Sequence, residues 1–335
     1  DDLFTQITVP AQQVVRQIQG CGEYGFPESH AASFALLVYA SAWLKCHEPA
    51  AFCCALLNSQ PMGFYAPAQL VRDARTHGVV VHGVDVNASG AEATLESAAD
   101  GPALRLGLNQ VRDLAREAAG RLVAARADGP YCGVGELARR ARLGRRELSA
   151  LAAAGALAGL AGHRHRASWE AHGITAPLPL VPVAGDPAGI PLLRTPGEGE
   201  DIVADYRALG LTLGRHPLAL LRPRLVASGW LTAAEVAGLE AGARLRTGGL
   251  VLTRQQPGSA RGVTFVTLED ETGQVNLVVW RQVAERQRRA LREARLLGVS
   301  GRLQREGEVL HVIAERLEDR SAMLGALQVA TREFH

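Results

Sequence analysis

The chain has 335 residues, 47% of them apolar and 21% charged, and a formal net charge of +2. That length allows two or three domains with their own cores, and that composition excludes a disordered chain. The near-balance of charge excludes a role resting on bulk positive charge, so any grip on a nucleic acid has to come from local patches.

Lys45 is the only lysine, so phosphate contacts fall mostly to arginine forks. The five cysteines, Cys21, Cys46, Cys53, Cys54 and Cys132, are odd in number and form no C-x-x-C pair. They argue against a disulfide framework and for a reducing, cytoplasmic setting. No apolar run reaches the roughly 18 residues of a membrane span, so no membrane partner is expected. The chain starts on Asp1 inside an amphipathic pattern, as a piece of a longer protein would.

Taken in order, residues 1–20 carry a helical pattern at Val14, Val15 and Ile18. Two glycines and Pro27 make a loop of residues 22–27, and Ser29 is a plausible N-cap for a helix bearing Phe34, Leu37, Val38 and Trp43. A helix start offers unpaired N–H groups to an anion, and His30 stands in the first turn. The alternative is a capped core helix with a surface histidine. Helices are expected over 30–45, 49–60 and 66–77, and short strands at Val79–Val81 and Leu104–Leu108. Residues 109–160 are helical and rich in alanine and arginine. Arg112, Arg116, Arg121 and Arg126 there are either duplex phosphate ligands or a solvated face. Residues 174–204, dense in proline and glycine, read as a linker. The His216-Pro217 pair after it reads as a turn, since no nucleophile accompanies the histidine.

Residues 244–317 change character. Strands are expected at Leu250–Arg254, Thr264–Glu269, Val275–Trp280, Ala294–Leu303 and Val309–Ala314, with a helix at Gln282–Glu293 after the third. That is the order of an OB-fold. Over 244–320 there are 14 arginines against 10 acids. OB-folds hold single strands by stacking bases on aromatics in a basic groove, each stacked base contributing roughly 1–3 kcal/mol. The candidates are Phe265 and Trp280 for stacking, Arg254, Arg261, Arg302 and Arg305 for phosphates, and His311 for either. The alternative is that Phe265 fills the barrel and Trp280 caps it. Residues 318–335 read as a polar helical tail.

Several separate motifs resemble one family in family order. Gly25-Phe26-x-x-Ser29-His30-x-Ala32-x-Phe34-Ala35, then Trp43-Leu44-Lys45 and Glu48-Pro49-Ala50-x-Phe52, resemble the fingers of bacterial C-family DNA polymerases, the family of the polymerase III alpha subunit. Gly83-Val84-Asp85-Val86-Asn87-Ala88-Ser89 resembles the turn that ends the fingers. Residues 106–122 and 143–157 resemble its paired helix-hairpin-helix units, with Asp113 and Ala115 where the family hairpin has glycines. Leu209-Gly210-Leu211 with His216-Pro217 resembles the junction before its OB unit. Replicative members usually carry Asn-Lys before the Ser-His; Pro27-Glu28 here is similar to the error-prone branch used in damage tolerance.

The resemblance implies a multidomain α+β chain: a helical fingers segment (1–82), a helix-hairpin-helix domain (83–172), a Pro/Gly-rich linker and junction (173–243), a C-terminal five-stranded OB-fold barrel (244–317) and a tail (318–335). It implies the C-terminal DNA-binding portion of an error-prone polymerase. Such a portion contacts the incoming nucleotide, duplex and single-stranded template, with Ser29, His30 and Lys45 nearest the nucleotide or template. No Asp-x-Asp pair, zinc spacing or Walker loop occurs. The chain is therefore expected to hold no metal or cofactor and to be inactive alone, Mg2+ and dNTP belonging to the palm of the parent. No clamp-docking peptide is found near 174–182, which implies clamp recruitment through accessory damage-tolerance proteins. The other function considered is a non-catalytic nucleic-acid-binding or scaffold region that mainly binds accessory proteins.

Overall fold

The structure, a computed structural model, describes residues 28–62, 65–99, 101–174, 192–260, 262–307, 309–327 and 332–334. The helical pattern of residues 1–20 lies outside the described residues, as do most of the proline-rich stretch and Arg261.

Three helices come first: α1 (Glu28–His47), α2 (Pro49–Asn58) and α3 (Pro67–Thr76). Pro49 and Pro67 sit at the first helical turn, where a missing N–H costs nothing. α2 and α3 bury Ala50, Cys53, Leu57, Leu70, Val71 and Ala74, whereas α1 leaves Leu36, Val38 and Tyr39 largely exposed. Strands β1 (Val81–His82), β2 (Thr94–Ala98) and β3 (Gly101–Arg105) form a small sheet in the order β1-β3-β2. β2 escaped sequence reading because it buries no residue fully and so carries no apolar alternation.

The helical region is two copies of one unit. Helix α4 (Arg116–Ala125) is followed by α5 (Val134–Arg140) and α6 (Arg145–Ala153), and then by α7 (Ala158–Ala161) and α8 (Arg164–Gly173). A shift of 29 residues along the sequence aligns Leu114 with Leu143, Ala119 with Leu148 and Leu122 with Leu151, and it aligns the start of α4 with that of α6. Leu122, Leu148 and Leu151 have no exposed surface, and with Leu108 and Leu137 they form one core with α2, α3 and the small sheet.

Helices α9 (Glu198–Ala208), α10 (Pro217–Ala227) and α11 (Ala233–Ala237) join this body to the barrel. Ala208, Leu209 and Leu211 complete the hairpin core, while Ile202, Tyr206, Leu218 and Leu225 pack with Trp230, Leu250 and Leu296 of the barrel side. Arg164 pairs with Asp201 at 2.6 Å and with Asp205, and Arg75 donates to the Leu213 carbonyl at 3.1 Å.

The barrel strands are β4 (Arg244–Gln255), β5 (Thr264–Glu269), β6 (Gln274–Val279), β7 (Leu296–Glu306) and β8 (Val309–Asp319). Two short helices, α12 (Arg281–Arg286) and α13 (Arg288–Glu293), follow the third strand. β4 pairs with both β5 and β7, so the sheet β5-β6-β8-β7-β4 closes on itself as the five-stranded OB barrel the pattern predicts. β4 runs six residues further back than expected, through Gly248 and Gly249. The glycines are needed for close approach: a Cβ on Gly248 or Gly298 would fall within the buried Trp230 ring. The expected helical tail is instead the end of β8, one short 3-10 turn and β9 (Arg332–Phe334), which pairs in parallel with β4.

Candidate nucleic-acid interface

Strand register sets the chemistry of the barrel's outer face. Val266, Leu268, Val275, Leu277, Val279, Leu303 and Val312 point inward and are buried, so their neighbours point out. One outward row runs Phe265–Val278–Ile313–Arg302–Arg244 across β5, β6, β8, β7 and β4. The next runs Thr267–Asn276–His311–Gln304. Trp280 follows β6 two residues beyond Val278, diagonal to Phe265 and within an aromatic side chain's reach of it. Phe265 is 36% exposed and Trp280 54% exposed. Neither fills the barrel: Phe265 stands on the outer face, and Trp280 is the N-cap residue of α12.

Thr267 Oγ1 donates to Asn276 Oδ1 at 3.0 Å, and Nδ1 of His311 is buried without a hydrogen-bond partner among the described residues. Arg302 and Arg244 face each other on adjacent strands and make no ion pair with an acid among the described residues. Like charges placed directly opposite repel unless an anion lies between them. Arg246, Arg316 and Arg320 instead surround Glu318, and the Arg320 hydrogen bond, foremost, holds that carboxyl below its ordinary range. The face thus has an aromatic end, a hydrogen-bonding middle and a cationic edge.

Other expected contacts are engaged inside the protein. Arg254 is buried: its Nε donates to the Leu291 carbonyl at 2.6 Å and its Nη2 to the Ala294 carbonyl, so it staples the end of α13 rather than facing a phosphate. Arg305 Nη2 donates to the Ala237 and Leu239 carbonyls at 3.0 and 3.3 Å, just past α11. Arg126 donates to the Val86 and Ser89 carbonyls at 3.0 and 2.8 Å, bracing the turn that resembles the end of the fingers. Arg121 reaches the Ala141 and Arg142 carbonyls and Glu147, tying one hairpin to the other. Arg112 donates to the Arg207 carbonyl at 3.2 Å. Arg116, 86% exposed beside Glu92, keeps an open face.

The hairpin turns themselves align with the repeat. Asp113 and Arg142 both take the left-handed conformation, at φ 64° and 50°, where glycine is usual. Asp113 pairs with Arg146 of the second hairpin at 3.1 Å, both side chains being exposed. The second turn presents exposed Arg142, Gly144, Arg145 and Arg146, none of which the sequence analysis singled out as phosphate ligands. Its signal was the 29-residue spacing.

Ser29 and His30 lie in the first turn of α1, and their side chains fall outside the described residues. Lys45 Nζ pairs with Asp73 of α3 at 2.9 Å. No three His, Cys, Asp or Glu side chains gather to hold a metal among the described residues, and no described helix is long and apolar enough to cross a membrane.

Comparison with known proteins adds two families and a set of relatives. The helix-hairpin-helix motif matches residues 78–167, and the OB-fold nucleic acid binding domain matches residues 245–320. An error-prone DNA polymerase of Alkalilimnicola ehrlichii is 62% identical over 97% of this chain and 32% of its own length. Those of Methylococcus capsulatus and an Azoarcus species are 55% and 56% identical over 97% of this chain, covering 33% and 31% of theirs. The chain spans about a third of the length of these relatives.

Proposed function

We propose that this chain is the DNA-holding, C-terminal portion of an error-prone DNA polymerase of the bacterial C family, acting in damage tolerance in the cytoplasm. The OB barrel takes the single-stranded template on its outer face, and the paired hairpins take duplex by its backbone. The observation that carries this reading is the register of the barrel, which lines Phe265, Arg302 and Arg244 along one row with Trp280 diagonal to its aromatic end. Bases stack on exposed aromatics without regard to sequence, and guanidinium groups at the edge take the phosphates.

In the hairpins, the duplex contacts move to the second turn, at Arg142, Arg145 and Arg146, with Arg116 beside them. Ser29, His30 and Lys45 belong to the part nearest the incoming nucleotide. Mg2+ and the dNTP belong to the palm of the parent. In that parent, Mg2+ would neutralise charge on the transferring phosphate. Accessory proteins of damage tolerance, and through them the sliding clamp, complete the partner set. The exposed apolar side chains of α1 are available to the rest of such an enzyme.

A second reading is a scaffold that mainly binds accessory proteins. It is favoured by the internal engagement of Arg121, Arg126, Arg254 and Arg305. Titration of the whole chain with labelled single-stranded and duplex DNA at two salt concentrations separates the two. The proposal expects binding to both, weakening steeply as salt rises. Absence of binding at low salt would leave the scaffold.

A further inference from the structure

A groove opens beside the aromatic end of the barrel, between the β4–β5 connection and helices α12 and α13. Gly262 and Thr264 line one wall, next to Phe265, and Arg281, Arg288 and Arg292 line the other, next to Trp280. Arg281 is paired with Glu285 at 2.8 Å, which neutralises the acid in the groove. Arg288 and Arg292 are one helical turn apart on α13, exposed, and make no hydrogen bond or ion pair among the described residues. Their neighbour Arg289 lines no part of the groove and is paired with Glu293 at 3.1 Å. Two unpaired cations on one wall, with Glu285, the only acid lining the groove among the described residues, already neutralised, fit an anionic chain lying along the groove. Buried Arg254 and the Gln255 and Gln256 amides form its floor and rim.

We infer that this groove is a phosphate track: the backbone of a single DNA strand whose bases stack at Phe265 and Trp280 continues into it, and Arg288 and Arg292 neutralise successive phosphates. The inference rests on the reading of the barrel as a single-strand binder and extends the bound length beyond the barrel's outer face.

The test uses the full chain and oligothymidylates of about 4 and about 12 nucleotides, the range of OB-fold site sizes. The R288Q/R292Q double variant should bind the shorter oligonucleotide as the parent chain does. It should bind the longer one roughly tenfold more weakly at low salt, with a salt slope reduced by about 1.4, the value for two phosphates of a single strand. The R289Q variant should match the parent on both lengths. Unchanged affinity and slope of R288Q/R292Q for the longer strand would overturn the track and leave the barrel face standing. An equal loss in R289Q would overturn it as an effect of bulk charge. If F265A/W280A bound both lengths as tightly as the parent chain, the barrel reading would fall, and the track with it.

Discussion

Trp230 shows why single residues in this chain look odd in sequence. Its ring lies in the space left by Gly248 on β4 and Gly298 on β7, with 3% of its surface exposed. A glycine weakens an isolated strand, yet here it lets two strands accept one large side chain from the junction. Gly298→Ala would force the ring or the strand to move, an overpacking cost of about 1–3 kcal/mol. Denaturant melts followed by near-ultraviolet circular dichroism should show that loss; an unchanged midpoint would mean the ring is not confined. His216 works the same way. Its Nδ1 accepts from the Leu218 N–H at 3.2 Å as the cap of α10, so Nε2 carries the proton and donates to Glu269 at 3.2 Å. The ring thus bridges the two neighbours, in keeping with the turn role expected of the His-Pro pair.

At the level of elements, the two hairpins differ at equivalent positions. The first has Asp113 at its left-handed turn position and Ala115 at the helix start; the second has Arg142 and Gly144 at the equivalent places. An aspartate repels a phosphate that approaches the turn, whereas the guanidinium attracts it. Asp113→Gly should keep the turn, since glycine adopts the same conformation freely, and should tighten duplex binding severalfold at low salt. Anisotropy titration with a short duplex checks this, and unchanged binding would assign the duplex contact to the second hairpin alone.

The barrel and the helical units were legible from periodicity, because period-two burial and capping residues are local signals. The free arginines were not. Arg126 reaches carbonyls 40 and 37 residues away, and Arg254 reaches carbonyls 37 and 40 residues away, so folding decides which guanidinium groups stay available. Thr267, Asn276, Gln304 and Arg244 escaped notice for the same reason: only strand register sets them beside Phe265 and His311.

Across the whole molecule, one buried carboxylate ties three parts together. Glu269 at the end of β5 pairs with Arg72 of α3 and accepts from His216 ahead of α10. Burial, with Glu269 second, pushes the nearby Tyr206 hydroxyl up to about 12. The next residues of that turn, Asp270 and Glu271, receive Arg222 of α10 at 3.1 and 2.5 Å, and Asp270 also accepts from the Ala233 N–H at 2.8 Å. Sequence alone leaves the two halves unrelated across the proline-rich stretch. These contacts fix the barrel against the helical body, which sets the orientation of the barrel's outer face. The central claim is that bases stack on that face. Its most direct measurement is the change in tryptophan emission as oligothymidylate is added, in the parent chain and in Trp280→Phe. The account predicts strong quenching that is largely lost in the variant; equal quenching in both, or binding with no change in Trp280 emission, would contradict it.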